Sequence, residues 1–531
     1  MSYARPGIYV DEVLLQNNIA VNSTTAVAAF VGAALRGPTK PVRMNSWTDV
    51  TRNFGQFTGL EESDRLLQAL YNALSNGAGT IYAARVVGAG AEEATLTFNL
   101  DDPTPLDAPA TPGATAMRFT AINPGTWGNQ LYIEVTNGST ADRFSLNLRL
   151  VPTGAAITNQ QIVERWTDVS LDPRDNRYLL GLINSVLGGS SYVTVAVEGA
   201  YTYTAADRLA NSTVPGGDKL AGGANGAAVV ESDFQTSIYN LDEVSQPFVL
   251  NLPGITDIGT ITVAANYADA SRTRADGDPG RGDVFVVVDC QLGVDEATAI
   301  ATKSTYPRSD VLAMYYPGLV IADATNAVRG STKLVPPGAS VVGRYLATDA
   351  ARGVFKAPAG VNDGLIQGVL ALDPAARLRN SDLDALNNAN VNAIKSMPGI
   401  SPAVIFAART LRSDYITRYV NARRTLISVR ADLKAAVAFA PFENNDQVLW
   451  SALFNAADRI CRQLLAAGGL KGPSAAAAYY VVCGPENNTA VTVEAGEVHL
   501  EVGLALQRPA EFVVIKIGQF EGGISVTELA A

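Results

Sequence analysis

The chain has 531 residues, one histidine, three cysteines and a formal net charge of −11. Its 47% hydrophobic and 17% charged content are ordinary for globular protein, which excludes wholesale disorder, and its length suits about three domains. The acidic balance excludes the basic face that a nucleic-acid binder needs; the densest basic stretch, Arg409 to Arg430, is interleaved with helix-forming apolar residues.

The chain opens with an apolar, extended segment, Tyr3 to Val13, which is too short to fold alone. It lacks a signal-peptide core, and no apolar run reaches the roughly 20 residues of a membrane span. Ala26–Ala34 then reads as a buried strand stopped by Gly37-Pro38, Trp47–Phe57 and Ser63–Asn76 as helices, and Thr80–Val87 as another buried strand. From Glu93 to about Gly226 the chain turns rich in Thr, Asn and Pro. Short β-patterned runs recur there at Ala94–Leu100, Met117–Ala121, Gln130–Val135, Phe144–Leu150 and Tyr192–Val197.

Beyond the insertion, near-continuous apolar strands (Pro247–Pro253, Val284–Asp289, Val311–Tyr316, Leu319–Ile321) alternate with helical stretches near Ile258–Arg274 and Asp295–Thr305. That pattern predicts a mostly parallel sheet covered on both faces. Helices are expected at Thr417–Ala438 and Asp446–Ala467, the latter with Val448, Leu449, Leu453, Ile460 and Leu464 as its buried stripe. A hairpin is expected at Ala490–Leu506, with Val498, Leu500, Val502, Leu504 and Leu506 on one face. The closing stretch holds a strand-like run, Phe512–Ile517, a Gly522-Gly523 hinge and a second apolar run, Ile524–Leu529. Strands at both ends with unpaired N–H and C=O groups are templates for pairing with another chain.

The expected fold is α/β (α+β overall) and multidomain. A linker arm (1–22) precedes an α/β middle domain (23–92 and 227–384), interrupted by an inserted all-β domain (93–226). An α/β domain (385–507) and a C-terminal linker arm (508–531) follow.

Catalytic signatures are not legible. The lone His499 cannot build an H-E-x-x-H zinc motif, and no G-x-S-x-G elbow supplies a triad serine. No G-x-x-x-x-G-K-[ST] is present; Gly88-Ala89-Gly90 lacks a third glycine and leads into Glu92 and Glu93, which repel a pyrophosphate. Asp276–Asp283 has closely spaced carboxylates but not the later glutamate of a calcium loop, and reads as a polar turn. The paired Glu61-Glu62 and Asp101-Asp102 read as solvated loop. Cys290, Cys461 and Cys483 read as small buried hydrophobes of a reducing compartment. No catalytic, cofactor-binding or metal residue is assigned.

Several motifs in order carry a resemblance. They are Pro6-Gly7-Ile8-Tyr9-Val10, Ala29-Phe30-Val31-Gly32, Arg36-Gly37-Pro38, Phe54-Gly55 and Gly77…Tyr82…Arg85-Val86. Pro124-Gly125-Thr126-Trp127-Gly128-Asn129 and Leu220–Gly226 follow, then the block from Val335-Pro336-Pro337-Gly338 to Ala357-Pro358-Ala359-Gly360. Ala408-Arg409-Thr410-Leu411, Tyr419–Arg424, Trp450, Gly469–Gly472 and Arg508–Phe512 complete the set. Together they resemble the tail sheath proteins of contractile phage tails and related contractile injection systems, over nearly the whole chain. Ala407 and Tyr345 depart from the family's usual Gly and Ala, and both changes suit a packing role.

The resemblance implies a structural subunit without enzymatic activity. It would polymerise helically around an inner tube and contract to drive that tube through a target envelope. The all-β insertion would be the outer domain, and 385–507 the inner, tube-facing one. Partners would be other copies, the tube protein, and baseplate and terminator proteins, with no nucleic acid and no membrane anchoring. The site would be a virion tail or equivalent particle, assembled in the bacterial host cytoplasm. The arms would cross to neighbours, with Gly7, Ile8, Tyr9, Val10, Phe512, Val514, Ile524 and Val526 pairing and Val498, Leu500 and Val502 receiving. Arg459 and Arg462 would grip an acidic tube, against the plainer reading of an i,i+4 Asp458–Arg462 surface pair. Alternatives are the sheath of a headless injection device, another tail component, or, remotely, a nucleotide-binding α/β enzyme.

Overall fold

A computed structural model describes residues 27–59, 61–99, 105–106, 116–186, 188–199, 203, 208–209, 211–212, 214–323, 325, 328, 330–413 and 417–511. The expected arm residues Gly7, Ile8, Tyr9, Val10, Phe512, Val514, Ile524 and Val526 lie outside them.

The apolar runs of the middle of the chain assemble into one eight-stranded sheet. Its order is Val42–Met44, Thr80–Arg85, Val27–Gly32, Phe248–Asn251, Val284–Val288, Leu312–Tyr316, Asn392–Met397, Ser401–Ile405. The six inner strands run parallel and the two outermost are antiparallel to their neighbours. Every residue of Val27–Gly32, Val284–Val288 and Leu312–Tyr316 is buried, as a parallel sheet covered on both faces requires. Glu61–Ser75 and Gly338–Arg352 cover one face; Glu231–Tyr239 and Ile258–Ala268 contribute to the core on the other. The sheet continues past residue 384, so the expected boundary at 384/385 cuts through it.

Several helices are shorter than their periodicity predicts. Trp47–Phe54 stops where Gly55 turns to φ 89°, and Ile258–Ala268 gives way to an arginine-bound loop. In that loop Arg274 meets Asp242 at 2.9 Å and Asp276 at 2.6 Å, while Arg281 meets Asp283 at 2.9 Å. These carboxylates are thus held by guanidinium groups, and the loop is tied to the Asn240–Glu243 turn.

The insertion has its own core. Two four-stranded antiparallel sheets enclose Phe98, Phe119, Trp127, Leu131, Ile133, Phe144, Leu146 and Val195. Its Pro124–Asn129 motif is the joint with the sheet: Arg85 donates to Pro124 O at 2.6 Å, and Arg36 lies 5.3 Å from the Trp127 ring centroid. Asn129 exchanges two 2.8 Å bonds with the Gly223 backbone, closing the exit beside the entrance. The glycine turn after Thr80–Arg85 is packed with backbone; a Cβ on Gly88 would sit 2.0 Å from Ala227 O.

Val420–Ala436 docks on the sheet through a buried ion pair. Arg424 (1% exposed) forms a two-pronged pair with Asp349 (0% exposed) on Gly338–Arg352, with Nη1 to Oδ1 at 2.9 Å. Its guanidinium also lies 4.8 Å from the Tyr345 ring centroid, and the Tyr345 hydroxyl bonds to that of Tyr315. Tyr345 therefore fills a packing role where a smaller residue would leave this pair unsupported. Arg423 pairs with Asp310 at 3.4 Å. Removing one partner leaves a buried charge uncompensated. Arg424→Met is expected to lower the unfolding free energy by about 3–5 kcal/mol in urea titrations, whereas Arg423→Met, at a partly exposed site, is expected to cost much less.

Candidate assembly interface

The C-terminal unit is built on Val420–Ala436 and Gln447–Ala466. Asp446 caps the second helix, accepting from the Val448 and Leu449 amides. Its buried stripe is Leu449, Leu453, Ala456, Ala457, Ile460, Cys461 and Leu464. Val448 is not part of that stripe, being 77% exposed. At 100° per residue it shares the outward face with Asn455, Arg459 and Arg462. Arg462 pairs with Asp458 at 2.7 Å and is 72% exposed; Arg459 is exposed and makes no ion pair among the described residues. The expected surface pair is thus formed, and Arg459 on that face has no carboxylate partner among the described residues.

The expected hairpin at Ala490–Leu506 is not formed. Ala490–Glu494 is a short helix, capped by the Thr489 hydroxyl and closed at Gly496 with φ 75°. The strand is Glu501–Leu504, and its antiparallel partner is Tyr479–Val482, with the connection 483–500 between them carrying that helix. Local capping at Thr489 overrides the β-propensity of the Val and Thr residues that follow it. Of the three residues expected to receive a strand, only Val502 lies in the ladder, opposite Val481. Val498 and Leu500 pack instead against Leu449, Leu453 and Cys483.

The ladder has two strands of four residues, and no third strand pairs with either edge among the described residues. The Tyr480 ring lies across Gly503, where a Cβ would meet it at 2.1 Å, and its hydroxyl donates to Glu501 at 2.7 Å. The side chains of both strands are half-buried or exposed. A two-stranded ribbon this short is marginal alone, and its outward N–H and C=O groups are open to an added strand.

After the ladder the chain returns to the sheet and is clamped there. Arg409 donates to Glu511 from Nε at 2.8 Å and from Nη2 at 2.5 Å, and the Tyr419 hydroxyl reaches Glu511 at 3.2 Å. Asn421 holds Gln507 O at 3.2 Å. Arg409 is itself fixed to Asn392, the first residue of its parallel strand. Val27 is the first residue of another parallel strand four positions across the sheet. By strand register Asn392 lies opposite Tyr315, near the carboxyl end of Leu312–Tyr316, whereas Val27 stands at the amino end of its own strand, so the two chain ends are rooted at different levels of the sheet.

No protein-family model matches the sequence, and no curated protein matches it. Solved structures do match. The contracted helical sheath of the anti-feeding prophage aligns over 98% of this chain and 100% of its own, at 20% identity and TM-score 0.55. The contracted sheath complex of the PVC extracellular contractile injection system covers 98% of each chain, at 21% identity and TM-score 0.51. The sheath tail protein of Listeria innocua aligns over 90% of this chain and 94% of its own, at 16% identity and TM-score 0.56. The chain has the fold of contractile sheath proteins.

Three further features bear on chemistry. Cys290, Cys461 and Cys483 are free and buried. Among the described residues no group of three or more His, Cys, Asp or Glu side chains is placed to hold a metal ion, and no helix is long and apolar enough to cross a membrane. His499 is half-exposed beside Glu497.

The clamp sets a pH dependence. Burial alone would raise the Glu511 carboxyl, but its bonds to Arg409 and Tyr419 outweigh that and hold it below the usual glutamate value of 4.5. A depressed carboxylate contributes stability above its unfolded pKa and loses it as pH falls through the folded one. Backbone amides of residues 505–511 are thus expected to lose hydrogen-exchange protection as pH drops below about 4.5. Glu511→Gln is expected to weaken that protection already at neutral pH and to flatten its pH dependence; an unchanged profile in the variant contradicts the clamp.

Proposed function

We propose that this chain is the repeating subunit of a contractile sheath, polymerising helically around an inner tube and shortening to drive that tube through a target envelope. The observation that carries the reading is the end-to-end likeness of its fold to contracted helical sheaths, over 98% of the chain.

Physical chemistry supports it. The open Tyr479–Val482/Glu501–Leu504 ladder offers a main-chain template on which an extended arm adds as a strand. Residues 1–22 and 508–531 supply such arms, with Gly7–Val10, Phe512, Val514, Ile524 and Val526 as the pairing residues. An arm of about 20 extended residues reaches at most roughly 65–70 Å, enough to bridge subunits. Head-to-tail exchange of this kind generates open filaments rather than closed dimers. Contraction is then a rigid-body rotation of compact units joined by bending arms. The outward cations Arg459 and Arg462 face an acidic tube, and baseplate and terminator proteins cap the ends.

A headless injection device is a second reading, favoured by the fuller overlap with the two injection-system sheaths than with the Listeria sheath tail protein. Negative-stain images of native particles decide this; a DNA-filled head on the tail excludes it.

Purified protein is expected to form hollow cylinders or stacked rings by electron microscopy. A monodisperse monomer that turns over nucleotide sinks the reading. Deleting residues 1–15, or everything after Phe520, is expected to leave folded subunits, with an unchanged circular dichroism spectrum, that do not build an extended contractile sleeve.

A further inference from the structure

The Tyr479–Val482/Glu501–Leu504 ladder has two unlike faces. Register sets Tyr479 opposite Leu504, and both pack against the Ile460 and Leu464 cluster of Gln447–Ala466. The Tyr479 hydroxyl reaches Asp458 of that helix at 2.8 Å. Val481 and Val502, two residues along each strand, share this apolar face. The other face is wet, with Tyr480 (53% exposed) opposite Gly503 and Val482 opposite Glu501. Gly503 leaves room for the Tyr480 ring, whose hydroxyl donates to Glu501 Oε1 at 2.7 Å. The Glu501 carboxylate is thus held on the wet face, and it makes no ion pair among the described residues.

The main chain beside Glu501 is also oriented. Ala505 N donates to Ala478 O at 2.8 Å, so Ala505 and, by alternation, Gly503 and Glu501 turn inward to Tyr479–Val482. Val502 and Leu504 therefore turn their N–H and C=O groups to the open edge. Charge then separates the segments that could occupy it. Residues 472–507 contain no Lys or Arg; their charges are Glu486, Glu494, Glu497 and Glu501, all exposed. The run 512–520 is the reverse, with Lys516 as its one charged residue. Tyr3–Val13 instead carries Asp11 and Glu12 directly after its apolar Ile8–Val10 run. In an extended segment Val513, Ile515 and Ile517 share one side, and Phe512, Val514 and Lys516 the other. Added to the ladder, the first set continues the apolar face, and the second continues the wet face with Lys516 among the glutamates.

We propose that Phe512–Ile517 of one copy adds to the Glu501–Leu504 edge of another copy, in the register that sets Lys516 beside Glu501. The pairing rests on the self-assembly reading, and it assigns the edge, the segment and the register of one exchanged strand. Main-chain bonds alone do not fix that register. A slip by one residue turns Lys516 onto the apolar face, but a slip by two keeps both faces and every type of backbone contact. Only the ion pair distinguishes the two-residue slip, because opposite charges on neighbouring strands attract and like charges repel.

The test uses the full chain. Lys516→Glu and Glu501→Lys are each expected to raise the concentration at which polymer forms by about two- to fivefold, read by light scattering. The thermal unfolding of the dispersed subunit is expected to stay unchanged, and the double reversal in one chain is expected to restore assembly. Glu501→Cys chains mixed with Lys516→Cys chains and treated with a short bismaleimide are expected to give covalent dimers that neither variant gives alone. A chain carrying both cysteines that yields only internally linked monomer shows the run closing on its own ladder, and overturns the proposal. Cylinders that form equally well with either charge reversed, and give no mixed crosslink, overturn it while the sheath reading stands. Wild-type chains that never polymerise overturn the sheath reading and this pairing with it.

Discussion

A β-ladder of two four-residue strands leaves its outward main-chain groups without a third strand among the described residues, and that constraint shapes the C-terminal unit of this molecule. Such a ribbon gains little from its own cross-strand pairs and is stable here because Gln447–Ala466 packs beneath it. Soluble monomers blunt open edges with charge, proline or a covering loop. Here the edges belong to Tyr479–Val482 and Glu501–Leu504, whose aromatic and aliphatic side chains are half-buried or exposed.

The rest of the chain ties this unit to the large sheet. The buried Arg424–Asp349 pair fastens Val420–Ala436 to Gly338–Arg352, a helix that covers the large parallel sheet. The Arg409–Glu511 clamp then returns the chain to the sheet beside Asn392, four strands across from the one that Val27 opens. The insertion stands apart with its own core and is joined at a compact turn around Arg85 and Pro124. It can vary without disturbing the ladder or the clamp.

Much of this was legible in the residues. The apolar strands Val284–Val288 and Leu312–Tyr316 read correctly because a doubly covered parallel strand needs no alternation. Phe144–Leu150 read correctly because its flanking turns are sharp. The Ile162–Val169 strand was not legible: neither of its faces is apolar, and it is held by pairing with Phe144–Leu150 rather than by burial. Ala490–Glu494 misread as strand because its β-branched residues conceal a threonine cap and a glycine stop. Val448 misread as core because a hydrophobic residue in the first helical turn fits two faces until the packing partner is known. The Arg409–Glu511 clamp joins residues 102 positions apart, and no local pattern signals it. Sequence periodicity reports what each segment buries; the open edge and the clamp are relations between segments.

The central claim is that the ladder is completed by another copy. Amide hydrogen exchange of Tyr479–Val482 and Glu501–Leu504, compared between dispersed subunits and assembled polymer, tests it most directly. The account predicts fast exchange at the outward-facing amides of both strands in the subunit and strong protection of them on assembly. Equal exchange in the two states would contradict it.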